Sequence, residues 1–219
     1  MSRSPINWGD LRRTTPFTRS FGFDRGQPVD RYYIERFLQA HARDIQGRVL
    51  EIGDSHYTER FGGERVKHAG IFDRPGNDQA TFSGDLGAAS GLPDATFDCF
   101  INTQTLLFIR DLERAAHNIH AALKPGGVLL LTVPGISQIL REDMDREGDY
   151  WRFTTRSIRE VFATAFAPGD INVEAHGNVL TSVAFLHGLA TEDLSPAEMD
   201  AHDPDYEMLI ALRAVRRSR

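Results

Sequence analysis

Between Arg48 and Val133, short apolar runs alternate with segments whose apolar residues recur three and four positions apart. That alternation is the signature of strands joined by helices in a parallel sheet. RVLEI (Arg48 to Ile52), AGIFD (Ala69 to Asp73), ATFSGD (Ala80 to Asp85) and FDCFIN (Phe97 to Asn102) read as four strands. GVLLLTV (Gly127 to Val133) is the most apolar run and reads as a central strand buried on both faces. Ahead of them, Pro28 suits a first helical turn, and Ile34, Phe37, Leu38 and His41 give one apolar face before Gly47. Ala116, Ile119, His120 and Leu123 mark a second helix, which Lys124-Pro125-Gly126-Gly127 should end. Downstream lie a helix from about Ser157 to Phe166 capped by Thr154 or Thr155, the strand INVEAH, an apolar helix around Val179 to Leu189, and EMLIALRAV. The last two strands lack an ordinary crossover helix, which predicts an antiparallel closing strand. The expected architecture is α/β: a doubly wound, seven-stranded, mainly parallel Rossmann-like sheet with an antiparallel C-terminal strand.

The first 46 residues divide into an arm without apolar periodicity and the first helix; residues 47–219 form the main domain, with a charged insertion near 136–154 expected as a lid. A chain of 219 residues with 41% hydrophobic content closes one substantial core. Its 25 Lys and Arg stand against 31 Asp and Glu, a net charge of −6, which argues against a nucleic-acid partner. No segment approaches a membrane span, and Met1 to Ser20 lacks the apolar core of a signal peptide. Cys99 alone excludes an intrachain disulfide and suits a reducing cytoplasm. A small-molecule acceptor is the expected partner, with a homodimer left open.

The candidate chemistry begins at VLEIGDSHYTERFGG (Val49 to Gly63), a strand and turn placed where open sheets bind ligands. Only Gly53 fits the rule that glycines let the backbone approach a pyrophosphate, because Asp54, Ser55, His56 and Tyr57 carry side chains where further glycines would stand. Asp54 would also repel a diphosphate. A phosphate-free adenosyl ligand needs close backbone approach at fewer points and tolerates acidic neighbours.

Five stretches carry a resemblance: VLEIGD, IFD, SGDL, LPDATFDCFINTQTL and LKPGGVLLLTVPG. Together they resemble the motifs of class I S-adenosylmethionine-dependent methyltransferases, from about Gly47 to Val133. FGFDRGQPVDRYYIERFL, YWRFT and GNVLTSVAFLHGLA are further similar to bacterial methyltransferases associated with glycan or secondary-metabolite biosynthesis. The resemblance implies S-adenosylmethionine as cofactor, with Gly53 and Asp54 at its binding turn and Glu51 near the methionine amino group. It also implies Asp73 on the ribose hydroxyls, and Asp85 with Leu86 on the adenine. Asn102 to Thr105 would lie under the transferable methyl group, with Gln104 or Thr103 lining the junction, and Arg31 or Tyr33 would reach the methionine carboxylate from a covering helix.

In the insertion, Tyr150, Trp151 and Arg152 beside Asp149 suit a polyhydroxyl acceptor such as a sugar, whose apolar faces stack on rings. Phe153 could equally staple the next helix. O-methylation of such an acceptor is the expected reaction, with Asp149 the first and His56 the second candidate for a general base. His117 and His120 read as surface and core positions, since no carboxylate or cysteine completes a metal set. Two rivals stand beside this reading. A nicotinamide reductase would need the missing glycines, and a non-catalytic methyltransferase-like subunit would keep only the fold.

Overall fold

The structure is a computed structural model that describes residues 6–7, 9–139 and 141–217. Its strands are β1 (Gly47–Ile52), β2 (Val66–Asp73), β3 (Phe82–Ser83), β4 (Phe97–Thr103), β5 (Leu123–Pro134), β6 (Ile171–His176) and β7 (Leu209–Val215). They form one sheet in the order β3-β2-β1-β4-β5-β7-β6. The β1–β2, β2–β3, β1–β4 and β4–β5 pairs are parallel, while β7 runs antiparallel to both β5 and β6. The strand order reverses between β1 and β4, and the carboxyl ends of those strands bound a crevice.

Among the described residues six α-helices complete the fold: α1 (Val29–Ala40), α2 (Leu112–Ala122), α3 (Arg141–Glu147), α4 (Thr155–Ala163), α5 (Val179–Leu186) and α6 (Pro196–Asp200). Consecutive strand residues enter opposite cores, so the continuous apolar runs serve two helical layers at once. Leu50, Phe100 and Leu129 join Ile119 of α2 and Phe162 of α4 on one face. Val49, Cys99 and Leu130 join Ile34 and Leu38 of α1 and Phe185 of α5 on the other. Asp111 caps α2 by accepting the Arg114 N–H at 2.9 Å, and Thr154 with Ser157 forms a capping box on α4.

Four local expectations are corrected. The predicted Ala80 to Asp85 strand shrinks to Phe82–Ser83, because only Phe72 and Asp73 pair with it. Lys124 to Gly127 does not follow α2 as a turn but opens β5, since the C-terminal chain pairs there: Gly126 N–H donates to Arg216 O at 2.6 Å and Arg216 N–H to Gly127 O at 2.9 Å. The helix after Thr154 ends at Ala163, not near Phe166, and His41 lies beyond α1 as its half-buried C-cap rather than in the core.

The arm lies over the body. Phe17 N–H donates to His187 O at 2.9 Å, Arg25 pairs with Asp193 at 2.6 Å, and Gln27 N–H reaches Glu192 at 3.0 Å. Residues 1–5 and 8 of the arm, and Ser218 and Arg219 of the C-terminal tail, fall outside the described residues. The insertion after β5 folds as α3 followed by an extended strap. Tyr150 N–H donates to Leu107 O at 2.8 Å, Trp151 Nε1–H to Ile109 O at 2.9 Å, and Phe153 N–H to Pro134 O at 2.9 Å. The strap therefore roofs the loop that leaves β4. Among the described residues no helix is long and apolar enough to cross a membrane.

Candidate cofactor and acceptor site

The crevice is built around the exit from β1. Gly53 has φ of 85°, a left-handed conformation that favours glycine, and a Cβ placed on it would meet nothing within 4 Å. Its N–H donates to Phe72 O at 3.0 Å and its carbonyl accepts Asn77 Nδ2–H at 2.9 Å, so the bare edge of the turn is held in place against β2. The chain then enters a wide helical turn, Thr58–Gly62, without the glycines of a phosphate loop.

Glu51 holds that turn. Its carboxylate, on a residue only 2% exposed, accepts the Tyr57 N–H at 3.1 Å, the Thr58 N–H at 2.7 Å and the Thr58 hydroxyl at 2.7 Å. Burial outweighs these hydrogen bonds and pushes its pKa up to about 7. Both oxygens accept hydrogen bonds from the turn, so the side chain braces the loop beside the expected cofactor position.

Asp73 and Asp85 face the first cavity, about 290 Å³ in volume, which Asp143 and Glu147 also line and whose walls include Ile52, Phe72, Leu86 and Phe108. Asp73, at the end of β2, accepts Arg74 N–H at 2.7 Å and Asn77 Nδ2–H at 2.9 Å. Since Asn77 also binds the Gly53 carbonyl, one side chain ties the expected ribose acceptor to the expected cofactor turn. Asp85 Oδ1 accepts the Gly87 N–H at 2.8 Å, leaving its other oxygen unengaged by that turn. An adenosine matches this chemistry, with apolar walls for its base and acids for its hydroxyl and amino donors.

A second cavity of about 240 Å³ adjoins the first, and Phe108 and Asp143 line both. The arm supplies Phe21 and Phe23, α1 supplies Asp30 and Arg31, and the loop after β4 supplies Gln104. Gln104 has φ of 52°, an unfavourable left-handed conformation for a residue with a side chain. Its Oε1 and the Nη1 of Arg31 are buried without hydrogen-bond partners, as are both amide atoms of the fully buried Asn102. Buried polar atoms left unpaired are costly, and a ligand carrying a carboxylate and an ammonium group would satisfy those of Arg31 and Gln104. The open edge at Gly53, the paired acids and these orphaned atoms therefore fit S-adenosylmethionine.

Asp73, Asp85 and Leu86 thus line the first cavity, with Gly53 next to its wall residue Ile52, and Arg31, Gln104 and Asp149 line the second, with Arg152 paired to Asp149. Other expected contacts are displaced. Tyr33 is buried beneath α6, donating its hydroxyl to Met199 O at 2.8 Å and stacking on His176 at 5.6 Å, because its helical position faces the core. Asp54 folds back on its own turn, accepting His56 N–H at 2.9 Å. His56 is exposed and lines neither cavity.

Asp149 lines the second cavity, but Arg152 takes both its oxygens, at 2.5 and 3.0 Å. Asp149 thus stands in the second cavity as half of a bidentate ion pair. Arg152 also donates to Ser137 O and Gln138 O and so braces the strap. Tyr150, Trp151 and Arg152 line an open groove of about 950 Å³ that shares Arg74, Asp85, Phe108, Ile109 and Glu147 with the first cavity. The residues missed were Asp30, Phe21, Phe23 and Phe108. An acid in a first helical turn and aromatics in an aperiodic arm carry no signal that distinguishes them from capping and packing.

Comparison with known proteins places this geometry in a class. Residues 25–181 match the family described as a methyltransferase domain. The chain belongs to that family and is a class I S-adenosylmethionine-dependent methyltransferase. No curated protein matches it in sequence. A S-adenosylmethionine-dependent methyltransferase from Mesorhizobium loti superposes with a TM-score of 0.56 at 16% identity, over 89% of this chain and 100% of that one. A methyltransferase from Thermotoga maritima gives 0.53 at 17% identity, over 86% and 96%. Phosphoethanolamine N-methyltransferase 2 of Haemonchus contortus, in complex with S-adenosyl-L-methionine, gives 0.50 at 17% identity, over 92% and 61%. These likenesses show the shared fold.

Proposed function

We propose that the enzyme methylates a hydroxyl of a small polyhydroxyl, sugar or secondary-metabolite acceptor seated in the second cavity. The observation that carries this reading is the junction of the two cavities at Phe108, which brings an adenosine site and a separate small pocket to one point. Phe21 and Phe23 offer ring faces, while Ser137 and Gln138 offer polar edges, a mixture suited to an oxygen-rich molecule of this size. Asp73 would hold the ribose, Asp85 the adenine amino group, and Arg31 the methionine carboxylate. When bound, the cofactor supplies an electrophilic methyl group. Alignment of the acceptor with that group accounts for most of the rate, up to about 7–11 kcal/mol in favourable systems. The cavity walls would contribute by positioning and by excluding water. Residues 1–46 serve in this reading as a cover and residues 136–154 as the acceptor lid, in a cytoplasmic enzyme that acts alone or as a homodimer.

Labelled S-adenosylmethionine incubated with a panel of sugars, polyols, phenols and amines tests the acceptor class; label appearing only in the amines would overturn it. Cofactor binding is tested separately. Asp73→Ala should weaken S-adenosylhomocysteine by roughly 10- to 100-fold in calorimetry, because charge-assisted hydrogen bonds to the ribose are lost. Unchanged affinity would place the ribose elsewhere.

The lid carries its own prediction. Glu147 of α3 forms an ion pair with Arg74, the residue after Asp73, and both line the first cavity. Glu147→Gln should therefore speed release of S-adenosylhomocysteine by about fivefold in stopped-flow measurements, in keeping with a partly exposed pair. An unaltered release rate would show that α3 does not gate the ribose side.

A further inference from the structure

Among the acids around the second cavity, Asp30 differs from the rest in what holds it. Asp149 is forked by Arg152, and Asp143 pairs with Arg146 at 3.2 Å. Asp30 is only 7% exposed, yet among the described residues the polar side-chain partners of its Oδ2 are two and both distant: Gln104 Nε2 at 3.5 Å and Arg31 Nη1 at 3.6 Å. The Nη1 atom of Arg31 has no hydrogen-bond partner at all. Proline at position 28 and the first turn of α1 fix the backbone here, and the bridge between Pro28 and Ala190 anchors it to the body. Asp30 is therefore rigidly placed, weakly paired and turned to the cavity beside the strained Gln104.

We infer that Asp30 is the catalytic proton acceptor of the transfer, an assignment that rests on the methyltransferase reading of this same site. The acceptor's nucleophilic atom gains a bond to the methyl carbon and loses its proton to Asp30 Oδ2; the electron pair of the broken carbon–sulfur bond stays on sulfur. Gln104, at the end of β4, would hold the carboxylate toward the acceptor. Burial raises the pKa of Asp30, opposed first by the Arg31 charge and then by backbone N–H groups and Gln104, so its carboxylate is a stronger base than an exposed one. Tyr57 reaches the same cluster from the turn after β1, its phenol pushed up to about 12 chiefly by burial, with Arg31 opposing and Asp30 and Glu51 adding. It is thus protonated across the working range and does not compete for the role.

The test needs no knowledge of the acceptor. Sinefungin carries an ammonium group where the cofactor carries its methyl, so a negative charge at the transfer point should favour it over S-adenosylhomocysteine. In calorimetry on the full chain, the wild type should bind sinefungin at least about tenfold more tightly, the scale of one charge-assisted hydrogen bond. Asp30→Asn should remove that preference by weakening sinefungin alone, leaving S-adenosylhomocysteine within about threefold. Asp30→Glu should keep the preference, and melting curves for both variants check folding. Equal weakening of both ligands by Asp30→Asn would make Asp30 a holder of the methionine limb and overturn the inference. An undiminished sinefungin preference in that variant would overturn it too, as would a wild type without any preference. Failure of the wild type to bind either ligand would instead sink the methyltransferase reading of the site, and this inference with it.

Discussion

Arginine in place of Gly53 abolishes cofactor binding in the expected experiment, weakening S-adenosylhomocysteine by more than about 100-fold, or roughly 3 kcal/mol. Two effects act at once. The space beyond the Gly53 Cα is open and is the surface on which the ligand would lie, so a long side chain occupies the ligand's position. The φ of 85° adds strain for any side chain, about 1–2 kcal/mol, which should lower Tm by about 2–8 °C in a chain of this size. The folded variant is thus retained, and calorimetry at a temperature below its Tm isolates the binding loss. Affinity close to that of the wild type would show that no ligand rests on this turn.

Glu51→Ala produces the largest loss of stability. Two backbone N–H groups and one hydroxyl lose their shared acceptor inside the protein, at a cost of about 3–5 kcal/mol. The pH dependence has a definite sign. With a folded pKa of about 7 against an ordinary carboxylate value of 4.5, the folded state holds the proton that the unfolded state has released. Stability from this group is therefore greatest below pH 4.5, falls as pH rises through 7, and is constant above, a span of about 3 kcal/mol. Urea denaturation at pH 5 and pH 8 should show Glu51→Gln to be less pH-sensitive than the wild type by a large part of that span. Identical pH slopes for the two proteins would mean that the hydrogen bonds to Glu51, and not its burial, govern its ionisation.

Much of the binding crevice was legible before the structure because its parts sit at strand ends. Gly53, Asp73 and Asp85 each follow a short apolar run, and a parallel sheet gathers those ends on one edge. The charged insertion after β5 was legible as an element outside the core, being too polar to bury. Its anchoring was not: the Trp151 indole and the Tyr150 backbone are committed to the loop after β4, at a groove that borders the first cavity. Arg152 lines that groove and also braces the strap, since the carbonyls of Ser137 and Gln138 lie within its reach only after the strap has folded back. Glu51 showed the same ambiguity: a buried acid must be paired, but a linear pattern does not say whether with ligand or with backbone.

By itself the sequence determined the layer architecture, the antiparallel close and the edge of the sheet on which the candidate residues gather. Each follows from local periodicity, because apolar runs at period two and stripes at period three to four must be buried to stabilise anything. Only the tertiary structure decided that β7 slots between β5 and β6, that Arg74 meets Glu147, and that Asp30 stands beside Gln104 while Arg152 neutralises Asp149. Strand insertion and the Arg74 and Asp30 contacts join residues far apart in the chain, and the Asp149 fork depends on how the strap packs. None leaves a periodic trace, because a charge records neither its partner nor the depth at which it will be buried.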